Sequence, residues 1–230
     1  MVDIDFIHTQ LDCTYLEVLG GVEALPKWFK DLPPIVKLYE NKNFEDMSVK
    51  RCTPVLDSFI GGYYLATKID IHVKCVGDKV TFTGEGLSRE DILEHPIAQL
   101  GDMPIPEGYA KWAYKWFNPF TVKTPEGYSC VFTQPFNRPE SPFYTLTGVV
   151  ETDNYFQPVL LPFLVKKFNG VIPKGTLIAQ IIPFKREDYK SSIKIADSEY
   201  LKVQAEESMN FESNRSGKYK KEYRERKQYL

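Results

Sequence analysis

Apolar and polar positions alternate with a period of two along much of residues 52–186, and that period predicts strands. The runs YYLATKIDIHVKCV and DKVTFTG meet at Gly77-Asp78 and predict a hairpin within residues 52–83. WAYKWFNPFTVKT, YSCVFTQPF, FYTLTGVVET, FQPVLLPFLVKKF and TLIAQIIPFK follow over residues 112–186, each bounded by Pro, Gly, Asn or Asp. Recurrent short strands with turn signals predict an all-β barrel or sandwich. Pro135, Pro158 and Pro162 interrupt these runs, as prolines do at edges and bulges. Helical pattern is scarcer. LSREDILEH predicts a short helix, with Ser88 as N-cap and Asp91 three residues on. Residues 197–209 predict another helix. Ala110, Ala113 and Phe117 also suit a helical turn, which would make that segment a docking lid.

The same pattern suggests three regions. Residues 1–48 read as an N-terminal arm, with a strand at VDIDFIHT, a break at Pro33-Pro34, and Trp28 and Phe29 as anchors. Residues 49–190 read as a β-barrel core with an insertion at about 84–111. Residues 191–230 read as a helical or disordered extension with a charged tail.

Composition narrows the function classes. Hydrophobic residues make up 43% of the 230 and charged residues 26%, enough for a substantial core. The net charge of −2 argues against a general nucleic-acid binder but leaves room for a local basic patch. One such stretch spans Arg215 to Lys227, with seven basic and two acidic residues, and suits weak contact with an acidic partner or nucleic acid. Cys13, Cys52, Cys75 and Cys130 are dispersed without a C-x-x-C pair, so a zinc ribbon is not expected. His8, His72 and His95 are isolated, with no nucleophile–histidine–acid order. No signal-peptide pattern or bilayer-length apolar run is read, so the expected setting is cytoplasmic.

Three stretches carry a family resemblance. GGYYLA at 61–66, GVVETDNY at 148–155 and GTLIAQII at 175–182 resemble, in order, motifs of the deoxyuridine triphosphatase and deoxycytidine triphosphate deaminase family. The resemblance implies a mainly β, dUTPase-like (β-clip) distorted barrel, here with a small helical insertion. It also implies a homotrimer with nucleotide sites at subunit boundaries, and magnesium held mainly by a triphosphate. Carried over, Glu151 or Asp153 would be the catalytic carboxylate and Tyr155 would stack under the sugar and base. Gln180 would help at the phosphate or strand end. The pattern is also similar to phage and bacterial proteins built on this barrel, for which host cytoplasm or virion would be the setting.

The residues themselves allow two uses at each place. Glu151 and Asp153, two apart, fit either a solvated turn or a pair that binds a divalent cation or activates water. Asn137 and Arg138, between Pro135 and Pro139, fit a preorganised anion site or a structural ion pair. Trp112, Trp116, Phe117 and Phe120 fit a core or a partner surface. Tyr64 stands where the family has an acidic residue, and the Gly-Arg-Ser-Ser phosphate motif has no clear counterpart. The sequence reading therefore prefers a non-enzymatic, self-associating structural or interaction protein on a dUTPase-like barrel, without a cofactor. The alternative is a magnesium-dependent enzyme that binds a deoxynucleotide and hydrolyses or otherwise processes it.

Overall fold

A computed structural model describes residues 2–39, 42–213 and 218–225. In chain order the strands are β1 (Asp5–His8), β2 (Leu16–Gly20), β3 (Ile35–Tyr39), β4 (Lys42–Met47), β5 (Tyr63–Thr67), β6 (Ile71–Val76), β7 (Lys79–Thr83) and β8 (Ile92–His95). They continue as β9 (Tyr109–Trp116), β10 (Phe120–Lys123), β11 (Tyr128–Thr133), β12 (Phe143–Thr145), β13 (Gly148–Val150), β14 (Leu161–Lys166), β15 (Gly170–Ile172) and β16 (Leu177–Lys185). Among the described residues the α-helices are α1 (Lys27–Asp31), α2 (Thr53–Ile60) and α3 (Ser198–Ser213). The chain divides into two units. The first joins the segment ending at Ala24 to Phe59–Arg186; the second joins Leu25–Ser58 to the segment beginning at Glu187.

Four antiparallel sheets build the first unit, ordered β13-β11-β16-β5-β2, β12-β14-β9-β8, β15-β6-β7 and β1-β10. Every order is an open row. A barrel needs its two end strands to share a ladder. Among the described residues β13 pairs only with β11, and β2 only with β5. The expected dUTPase-like barrel is therefore corrected to open antiparallel sheets. Alternation along a strand shows which face is buried but not which strands pair.

The sheets share one core. Leu65 of β5, Phe132 of β11 and Ile181 of β16 join Trp116 of β9, Phe143 of β12 and Phe163 of β14. Trp116 and Phe163 stack at 4.1 Å and 10°, and Phe143 meets Trp116 edge-on at 5.2 Å. The Tyr114 hydroxyl accepts from the Val80 N–H at 2.7 Å, so its buried polar atom is partnered.

The Gly77-Asp78 hairpin forms as β6 and β7. The helix expected at LSREDILEH does not. Ser88 and Asp91 cap a turn, with the Ser88 N–H donating to the Asp91 carboxylate at 2.7 Å, and residues 92–95 then pair with β9 as β8. Pro96 leaves too few residues for a stable helix, while β9 offers a ladder. The helical turn considered at Ala110–Phe117 is likewise strand β9 with its continuation. Trp116 lies in the core; Trp112, Phe117 and Phe120 pack partly buried against it. Pro162 sits in β14, an interior strand, but just beyond Phe163, where the ladder with β12 ends.

The second unit contains the β3–β4 hairpin, α1, most of α2, and α3. Phe29 is buried, whereas its neighbour Trp28 is half exposed. All residues of α3 whose burial is described are exposed.

Gly62 explains part of the GGYYLA pattern locally. Its φ is +88°, and a Cβ there would collide with the Ile181 carbonyl oxygen of β16. Only glycine permits both the left-handed backbone and that approach. Gly62→Ala is expected to destabilise the fold by at least about 2 kcal/mol in urea denaturation; a change below roughly 0.5 kcal/mol would contradict this role.

Candidate functional site

The turn after β13 separates the two carboxylates singled out by sequence. The Asp153 carboxylate faces the Arg186 guanidinium, with Nη1 donating to Oδ1 at 2.9 Å and Nη2 donating to Oδ2. The Gly127 N–H also donates to Asp153, at 2.9 Å. Arg186 reaches the Tyr128 carbonyl at 2.8 Å and the Ser129 hydroxyl at 3.0 Å. These bonds join the turn to the ends of β11 and β16. Hydrogen bonding from Arg186 leads in pulling the Asp153 pKa down, to about 2; the Gly127 N–H and the Arg186 charge add to it against burial. Such a carboxylate is a weak base at neutral pH. Glu151 and Tyr155 are exposed on the same turn, with the Tyr155 N–H donating to the Glu151 carbonyl at 2.9 Å.

Gln180 and Arg138 lie elsewhere. The Gln180 side chain is buried, donating to the Gly61 carbonyl at 2.7 Å and accepting from the Phe136 N–H at 3.0 Å. Asn137 has a left-handed φ of 56°, which turns the chain into Arg138. Arg138 donates to the Ala24 carbonyl and lies over the Phe59 ring at 5.6 Å, and burial pulls its pKa down. On the β11–β16 ladder Tyr128 faces Lys185 at one end and Thr133 faces Gln180 at the other. Five residue steps along the strand separate these pairs, roughly 17 Å. The structure thus brings Asn137, Arg138 and Gln180 to one end of the ladder, and Glu151, Asp153 and Tyr155 to the other.

A different constellation forms in the second unit. A cavity of about 880 Å³ is lined by Lys50, Arg51, Lys220, Lys221 and Arg224, with the Phe211 and Tyr219 rings, and among the described residues by no Asp or Glu. Ser48 positions its first two cations. It caps the short 3-10 helix Val49–Arg51, accepting from the Lys50 N–H at 3.3 Å, and its own N–H donates to the Pro34 carbonyl at 3.0 Å. Lys50 Nζ donates to the Lys30 carbonyl at 2.6 Å. The other wall is the helical turn Tyr219–Tyr223, closed by the Arg224 N–H donating to the Tyr219 carbonyl at 3.0 Å. Arg224 Nε lies 3.0 and 3.1 Å from the two Asp57 oxygens, and its Nη2 donates to Asp57 as well. The first turn of α2, at Thr53 and Pro54, also borders the cavity and carries no acidic residue, so the positive helix end adds to the field.

The C-terminal cations stand out in the sequence, whereas Lys50-Arg51 does not. The only local signal was a basic dyad just before the Thr-Pro start of α2. A second cavity, of about 570 Å³ in the first unit, mixes Glu107 with Lys111 and Lys167 and so lacks a dominant sign.

Comparison with known proteins adds no assignment: no family model and no curated protein sequence matches the chain. With its sheets open, the deoxyuridine triphosphatase resemblance is overturned, along with the phage or bacterial branch and the interaction protein built on that barrel. Among the described residues no group of three or more His, Cys, Asp or Glu converges as metal ligands. The magnesium-dependent deoxynucleotide enzyme is therefore withdrawn too. Among the described residues no helix is long and apolar enough to cross a membrane.

Two substitutions test these placements. The folded-state pKa of Asp153 lies below the unfolded carboxylate value, so its contribution is complete above about pH 4 and lost as pH falls toward 2. Asp153→Asn should therefore lower stability at neutral pH and flatten the acid limb of the melting-temperature profile; an unchanged acid limb would contradict the pairing. Gln180→Leu strands the Phe136 N–H and Gly61 carbonyl, and should cost about 2 kcal/mol in urea denaturation. A neutral result would contradict the strut.

Proposed function

We propose that this chain binds a phosphate-bearing polyanion in the basic cavity of the second unit. The carrying observation is the cavity's charge sorting. The whole chain holds 29 basic and 31 acidic residues, yet among the described residues five basic side chains and no acidic one line this space. Clustered like charges repel, and an entering anion relieves the repulsion. Arg and Lys supply complementary chemistry, a planar fork and a mobile point charge, and both suit phosphate oxygens. The Asp57 grip fixes the Arg224 wall, which reduces the ordering needed on binding. The four cysteines are free thiols, which supports placing the protein in a reducing, cytoplasmic compartment.

Isothermal titration with sodium tripolyphosphate at low salt tests this reading. Saturable binding is expected, weakening as salt rises. Lys220→Ala with Lys221→Ala should reduce affinity about tenfold, since both side chains are exposed and their loss spares the fold. No saturable heat from the wild-type protein, or unchanged affinity in the folded double variant, would refute it.

A further inference from the structure

The cavity's aromatic wall says more about the ligand. Tyr219 lines the cavity and is 40% exposed. Tyr223, one turn on, stacks with it at 6.4 Å and 27°, is 53% exposed, and is not among the lining residues. Its orientation is fixed. The Tyr223 hydroxyl donates to the Glu207 carboxylate at 2.7 Å, Lys218 Nζ bonds the same carboxylate at 3.2 Å, and that ammonium lies 5.9 Å from the Tyr223 ring. Among the described residues, Glu207 and Glu222 face this turn and pair with the buried Lys218, and Asp57 pairs with Arg224 at its end.

Resting on the polyanion reading above, we infer that the ligand is a single-stranded nucleic acid. Cations and preset rings share the turn Tyr219-Lys220-Lys221-Glu222-Tyr223-Arg224, whose acidic residue, Glu222, pairs with Lys218. A free polyphosphate uses the cations and leaves both rings idle. An acidic peptide brings charge without flat faces. A duplex presents phosphates but keeps its base faces stacked inside. A single strand offers phosphates and free base faces in one repeating unit, and stacking on aromatic side chains is sequence-tolerant. Because Tyr223 lies outside the cavity lining, a ligand that fills the cavity and also meets this ring extends beyond it, as a polymer does.

Fluorescence anisotropy of the full chain with a labelled twelve-residue oligothymidylate tests the inference. It should bind at least about tenfold tighter than a duplex of equal length, polyglutamate, or vesicles of anionic phospholipid. Tyr219→Ala with Tyr223→Ala should weaken the oligonucleotide about tenfold or more, and several-fold more than it weakens tripolyphosphate. Tyr223→Phe keeps the ring without the Glu207 bond and should retain most affinity; it carries the test should the double variant fail to fold. The logarithmic salt slope should be about −3, as expected for roughly four cations on a single strand. Equal binding of duplex, polyglutamate or vesicles, or an unchanged affinity in the folded Tyr double variant, would overturn the single-strand inference. Loss of oligonucleotide affinity in Tyr223→Phe comparable to the double variant would do the same. Either leaves the polyanion reading standing if tripolyphosphate still binds. Failure of every anion to bind would overturn both.

Discussion

The ion pair between Arg224 and Asp57 is the contact on which the proposed site depends. Its partners are 167 residues apart in sequence, and their side chains are only 12% and 20% exposed. The guanidinium fork engages both carboxylate oxygens, which fixes orientation as well as distance. Without it, the turn carrying Tyr219, Lys220 and Lys221 has lost a principal tie to α2, and the cations no longer share one cavity. The pair thus converts two separate basic stretches, Lys50-Arg51 and Lys220-Lys221, into one electrostatic feature. Holding five like charges together is unfavourable in itself, and the hydrogen bonds of Ser48, Lys50 and Asp57 offset that cost.

The first unit solves a different problem. Its sheets are open, so edge strands remain, and the shared aromatic core rather than ladder closure holds them together. Trp116, Phe143 and Phe163 come from three strands of one sheet, and Leu65, Phe132 and Ile181 from three strands of another. Three side-chain bridges then secure what the ladders leave loose. Gln180 supports the loop before Asn137 and the turn at Gly61, Asp153 and Arg186 clamp the far end of the β11–β16 ladder, and Thr145 Oγ1 donates to the Ile178 carbonyl at 2.6 Å.

The three motifs that carried the deoxyuridine triphosphatase resemblance have local structural uses here. GGYYLA carries Gly62, whose missing Cβ admits the β16 backbone; GVVETDNY carries Asp153, a clamp; GTLIAQII carries the buried β16 face and Gln180. Each pattern has a local structural use in an open sheet. The strand runs, the β6–β7 hairpin at Gly77-Asp78 and α3 were legible, because each is written in neighbouring residues. Strand pairing was not, since period-two alternation is silent on partners. LSREDILEH misled because its capping residues serve a turn and β9 captures residues 92–95 as a strand. The candidate site was half legible. Lys220, Lys221 and Arg224 stood out as a basic stretch, whereas nothing near Lys50-Arg51 or Asp57 announces a partner so distant in the chain.

Backbone amide chemical shifts, followed while tripolyphosphate is titrated into the labelled chain, test the central claim most directly. The account expects the perturbations to concentrate at Lys50–Leu56 and Phe211, and at Tyr219–Arg224. Perturbations centred instead on Glu151–Tyr155 or on Asn137 and Arg138, with residues 50–56 and 219–224 unmoved, would contradict it.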